Sequence, residues 1–346
     1  RGLSLSAGRY IVTEKTIGNV TAATYFFEES QHLSGQYLDA VGGYIQLYED
    51  LFGPYPFAKF AIVENYFPTG YGFPSYTLLG SRVLRLPFIV RTSLGHEIAH
   101  CWWGNGVYVN YAKGNWSEGL TTYVADYLYQ EMASPDKAHE YRRQLLRNYA
   151  TLVAPATDFA LERFTSRTNP ATKAIGYDKG AMVFHMLRRR IGDDAFWAAR
   201  KDVFRDHLFD TISWDEFRNA FERHGKVDLK GFFAQWIGRS GAPKLAFDQV
   251  DLRRQNNRFL VSGRIVQEPP FYDLSASLKL TSGDGVVTER IQITGGETDF
   301  KLFFNHRPEA LLLDPDTDIF RRLAPSEIPP AVNSLKGADT VLAVLA

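Results

Sequence analysis

The hydrophobic pattern changes period along the chain, and the changes divide it. Residues up to about Phe27 alternate and are rich in β-branched and aromatic side chains ("RYIVTEKTIGNVTAATYFF"), which predicts two strands. Between Glu29 and Leu51 the spacing turns helical, with Leu33, Tyr37, Val41, Tyr44, Leu47 and Leu51 on one stripe and Gly42 and Gly43 weakening it. "FAKFAIVENY" then predicts a buried strand. "FPTGYGFPSYTLLG" predicts a Gly/Pro-punctuated loop leading into an edge strand near Tyr76 to Gly80, onto which an extended peptide could add.

A long helical stretch follows. One helix should carry His96 to Trp103 and another should run from Ser117 to Met132, with more at "SPDKAHEYRRQLLRNYATL", "GYDKGAMVFHMLRRRIG", "DDAFWAARKDVFRDH", "SWDEFRNAFERHG" and "DLKGFFAQWIGRSG". Ser134, Asp193, Ser213 and Asp228 are the expected N-caps. From Pro243 the period drops to two, as in a small β-sandwich, until about Arg322. The fold class is therefore α+β. The expected divisions are 1–28 as a remnant of an N-terminal β domain, 29–242 as the main domain, and 243–322 as the sandwich. Residues 323–346 should be a Pro-containing linker and the start of a further, truncated domain.

Composition narrows the possible functions. The chain has 346 residues, enough for two or three cores, and is 45% hydrophobic. Lys+Arg and Asp+Glu are both 39, so the balanced charge points away from nucleic acid as a partner. A single cysteine, Cys101, excludes an internal disulfide. No apolar run reaches membrane length, and the chain opens at Arg1 without a signal stretch. Flanking domains of the same polypeptide are expected to be missing.

The chemistry centres on "SLGHEIAHCWWGN". On a helix, residues four apart share a face, so His96 and His100 can turn their imidazoles to one ion, with Glu97 beside them within reach of a water. Two core histidines bonded to carbonyls would give the same five letters by chance. The extended HExxHxxGxxH pattern fails at Trp103 and Gly106, and the reversed HxxEH is absent. Glu118, in "GNWSEGLTTYVADYL" eighteen positions after His100, is the expected third ligand. Two histidines and one glutamate with a fourth position open to water make a catalytic zinc set, so one Zn2+ per chain is expected. Cys101 points roughly 100° away around the helix and should simply pack. His185 and His207 read as core or surface histidines, the "LRRRIG" run as a solvated face, and Thr122 as a candidate neighbour of the site.

"HEIAHCWWGN" followed by "NWSEGLTTY" resembles the aminopeptidase N family of gluzincin metallopeptidases, which includes leukotriene hydrolase. "YEDLFGPYPFAKFAIV" and "WDEFRNAFERHGKVDLKGFFAQWIGRSGAPKL" extend that resemblance over most of the chain. It implies a thermolysin-like catalytic domain with a helical continuation, a zinc metallopeptidase activity on a peptide or protein substrate, and an extracytoplasmic location. It also implies His96, His100 and Glu118 as ligands and Glu97 as general base. "GYDKGA" matches the family's Tyr-x-Lys-Gly motif and assigns Tyr177 to the oxyanion. The departures are a loop one residue shorter between His100 and Glu118, and the loss of the Gly-x-Met-Glu-Asn motif. Gly70, Tyr71, Gly72 and Phe73 occupy its place as candidate substrate contacts, and Phe73 falls on the glutamate that clasps a free amino terminus. Glu64 is the candidate replacement for that clasp. The alternative to an enzyme is a non-catalytic peptide-binding or assembly module on the same scaffold.

Overall fold

The computed structural model describes residues 4–67, 70–283 and 285–329. Two compact units divide the chain: residues 1–132 with 191–229, and 133–190 with 230–346. Residues 330–346, and with them most of the expected truncated domain, lie outside the described residues.

The first unit is built on a five-stranded sheet in the order β1 (Ile11–Ile17), β2 (Val20–Phe26), β3 (Lys59–Asn65), β5 (Tyr76–Gly80), β4 (Gly70–Phe73). β2–β3 and β3–β5 run parallel; β1–β2 and β4–β5 run antiparallel. Two expectations change here. The strands of residues 1–28 belong to this same sheet, because β2 pairs directly with β3. The edge is Gly70–Phe73 and not Tyr76–Gly80, because the presumed loop folds back as a hairpin. Pro74 and Ser75 make its turn, Ser75 takes the left-handed backbone such a turn needs (φ 67°), and Phe73 stacks on Tyr76 at 4.7 Å.

The helix Ser34–Phe52 buries Tyr37, Leu38, Val41, Ile45, Tyr48 and Phe52. This stripe is shifted by a residue at several positions from the one the spacing suggested, because the helix meets β2, the helix Ser93–Ala99 and the helix Asp193–Asp206 at once. The helix Trp214–Gly225 completes the unit. Ser213 caps it, its Oγ accepting from the Asp215 N–H at 3.1 Å.

The second unit contains the helices Pro135–Leu152, Gly180–Ile191 and Lys230–Trp236. Ser134 caps the first by accepting from the Lys137 N–H at 3.1 Å. The period-two region becomes two three-stranded antiparallel sheets. One joins Leu245–Gln255, Arg258–Gln267 and Glu297–Phe304, the other Asp273–Ser282, Gly285–Thr294 and Ala310–Leu313. Alternation buries Leu274, Ala276, Leu278 and Leu280 on one strand. His185 is buried against Asp318 at 2.8 Å, consistent with a core histidine. Among the described residues, no helix is long and apolar enough to cross a membrane.

Candidate metal centre

His96 lies in the helix Ser93–Ala99 and His100 caps its C-terminus, so one face presents both rings, 4.9 Å apart. After His100 the chain leaves the helix in a tight turn closed at Gly104 (φ 115°), earlier than the Trp103 end expected from sequence. That turn aims the Trp103 carbonyl at Nδ1 of His100, 2.9 Å away. Glu118 stands in the first turn of the helix Ser117–Thr121, whose start is fastened by Asn115: its Oδ1 accepts from the Ser117 N–H at 3.0 Å and from Ser117 Oγ at 2.7 Å.

The donor set fits a tetrahedral cation. Nδ1 of His96 faces Asp126 Oδ2 at 2.7 Å and Nδ1 of His100 faces a carbonyl, and both partners can only accept. Each Nδ1 therefore carries the proton, which leaves each Nε2 a lone pair. Those atoms lie 3.5 Å (His96) and 3.3 Å (His100) from Glu118 Oε2. Zinc bonds of about 2.0–2.1 Å at tetrahedral angles separate neighbouring donors by about 3.4 Å. All three ligand atoms fall within 4.8 Å of one another.

The same groups favour positive charge, whether as a cation or as a proton. Burial alone would lower both imidazoles, yet Asp126 and Glu118 raise His96 well above its ordinary value, and Glu118 raises His100. Burial likewise would raise Glu118, but the two imidazoles hold it well below the usual carboxylate range. The cluster attracts positive charge. Glu97, by contrast, is pushed up by burial and only partly offset by the two histidines. Its carboxylate lies against Gly72 and Gly70 of β4.

Asp126 escaped the sequence reading. So did Thr121, whose Oγ1 is 3.4 Å from His100 Nδ1, where Thr122 had been the candidate. The helix explains Asp126: residues Thr122–Tyr127 form a π-helical turn between Ser117–Thr121 and Leu128–Ala133. In a plain α-helix, eight residues would leave Asp126 about 80° around from Glu118; an extra residue in a π turn removes about 100° and brings both to one face.

The other candidates are placed as follows. Tyr71 is exposed and Phe73 half-buried on the outer strand. Glu64 cannot act as a clasp: fully buried, it accepts from the Phe27 N–H at 2.8 Å and from Ser30 Oγ at 2.9 Å, fastening the turn after β2. Cys101 is packed, with the Tyr55 hydroxyl 3.4 Å from its sulfur. Tyr177 belongs to the second unit, in a π-helical turn at Ala174–Lys179, with its ring edge-on to Phe164 at 6.1 Å.

Residues 89–236 match the Peptidase family M1 domain. Aminopeptidase N of Lactococcus lactis subsp. lactis is 27% identical over 46% of this chain and 19% of its own length. Aminopeptidase N of Streptomyces lividans is 24% identical over 68% of this chain and 30% of its own. The crystal structure of Legionella pneumophila aminopeptidase A in complex with aspartic acid shares the fold, with a TM-score of 0.69 at 16% identity, covering 95% of this chain and 39% of that one. The chain thus spans about a fifth to three tenths of the curated relatives it matches.

Proposed function

This chain belongs to the aminopeptidase N-like peptidases of family M1, and on that premise we propose that it is a zinc-dependent hydrolase of peptide bonds. The observation that carries the reading is the Glu118 oxygen set 3.3 and 3.5 Å from two imidazole nitrogens whose other faces are already occupied. His96, His100 and Glu118 would hold one zinc ion. When bound, zinc supplies Lewis acidity, polarising a carbonyl and making water acidic near neutral pH.

The chain's own groups do the rest. Glu97, whose carboxyl is pushed up by burial, accepts a proton from the attacking water and returns it to the leaving amine. The Tyr177 phenol donates to the developing oxyanion, the role the family resemblance gives it. The outer strand Gly70–Phe73 offers its backbone to an extended peptide, replacing Tyr76–Gly80 in that role. In domain terms the reading is a thermolysin-like catalytic part whose sheet takes in β1 and β2, with a helical continuation to residue 242, followed by a β-sandwich over 243–322. Phe73, where a clasping glutamate would stand, supports a peptidase that is not strictly an aminopeptidase.

The test joins metal analysis to a peptide digest. About one zinc per chain is expected after dialysis, lost in the Glu118→Ala variant. Glu97→Gln should keep zinc and bind peptide while turnover falls by at least ~10²-fold. Full zinc with no cleavage of any peptide by the unaltered chain would favour a non-catalytic binding module.

A further inference from the structure

Gly72 is ordinary strand backbone, paired with Thr77, so nothing in its conformation requires glycine. Its surroundings do. A Cβ built there would come within 2.8 Å of Glu97 Oε2, closer than real side chains approach. The same atom would stand 3.4 Å from His100 Cβ and 3.6 Å from His100 Cδ2, ordinary contact distances, so the metal ligand would not be pushed. Gly70 makes the comparison: a Cβ there meets Leu79 at 3.4 Å and Glu97 Oε1 at 3.6 Å, ordinary contact in both cases.

What would yield at Gly72 is decided by stiffness. β4 is held to β5 along its length, and the Thr77 hydroxyl donates to the Tyr71 carbonyl at 3.1 Å, so the strand cannot easily back away. The Glu97 carboxylate is the free end of a flexible side chain. From this we infer that Gly72 is a positioning residue: the absence of its side chain lets the Glu97 carboxylate lie against β4, and any Cβ there turns the base aside while leaving fold and metal set in place. The inference rests on the reading of Glu97 as general base.

In the zinc-loaded full chain, Gly72→Ala should melt within a degree or two of the unaltered protein and keep its zinc. Its kcat should fall at least tenfold with KM changed far less, and a crystal structure should show Glu97 rotated. The decisive comparison uses Glu97→Asp, whose shorter side chain withdraws the carboxylate: in that background Gly72→Ala should cost much less than it does beside Glu97. An unchanged kcat in Gly72→Ala overturns the inference. So does zinc loss or a large drop in melting temperature, which would make the role merely structural, and so does an equal penalty in the Glu97→Asp background. Full turnover by Glu97→Gln would remove the base reading and this inference together. An inactive Glu97→Gln beside a fully active Gly72→Ala would remove this inference alone.

Discussion

Asp126 and His96 form a carboxylate–imidazole pair at 2.7 Å, on the side of the ring away from Glu118. The pair fixes which ring nitrogen carries the proton and turns the other toward Glu118. Such partners typically contribute a factor of 10–100 in metal affinity. Asp126→Ala should weaken zinc binding by about that factor, measured by competition with a chelator, while a His96→Ala, His100→Ala double variant should lose the metal altogether. Unchanged affinity in Asp126→Ala would mean that His96 is oriented by something else.

Tyr177→Phe removes one hydroxyl and little volume. If the phenol stabilises the oxyanion, turnover should fall by roughly 10²-fold or more with zinc retained. Near-normal kcat would leave Tyr177 as a packing residue against Phe164.

Phe73 bears on which end of a substrate is read. A buried carboxylate pairing the substrate ammonium is worth on the order of 2–5 kcal/mol, whereas a ring face offers roughly 0.5–2 kcal/mol. Glu64 is already committed to Phe27 and Ser30. Matched fluorogenic peptides, one free and one acetylated at the amino terminus, should therefore be cleaved at similar rates. A preference of a thousandfold for the free form would show that another acidic group does the clasping.

Lys179, two residues past Tyr177, is buried and donates to the carbonyls of Arg239 and Gly241 at 3.0 and 3.1 Å. Burial pushes its ammonium down to about 8. Between that value and its ordinary one the unfolded chain holds more of this proton than the folded chain, so stability from this group rises with pH across the window and is lost as pH falls through 8. The stability difference between the unaltered chain and Lys179→Met should grow in favour of the former from pH 8 to about 10.5, by on the order of 3 kcal/mol at most. Urea titrations at several pH values measure it; a flat difference would mean that the carbonyl bonds cancel the cost of burial.

The His96–His100–Glu118 cluster could be read from sequence because helical spacing is local: His96 and His100 share a face wherever that helix sits, and Glu118 follows at the start of the next. What could not be read depends on irregular or distant geometry. Asp126 is in register only through the π-helical turn, which no periodicity announces. The hairpin at Pro74–Ser75 hid a four-residue strand containing two glycines, poor in strand-forming residues, so the sheet edge was misplaced. Residues 1–28 looked detached because their partner, β3, lies more than thirty positions beyond β2.

The first unit is discontinuous, and this sets an order of events during synthesis. All three candidate ligands precede residue 119, yet the turn that orients them leans on residues made far later. Trp103 meets Phe204 and Phe217 edge-on or tilted, Trp116 donates to the Ile212 carbonyl at 3.1 Å, and Tyr108–Val109 pairs with Thr211–Ile212. A ribosome must therefore add the whole 133–190 excursion, and then some thirty residues more, before this support exists. Until then the histidines are on a nascent chain without the scaffold that points them, and a fragment ending at residue 132 should take up zinc weakly. A metal loaded at this cluster would in this sense be a late checkpoint on the folding of the chain.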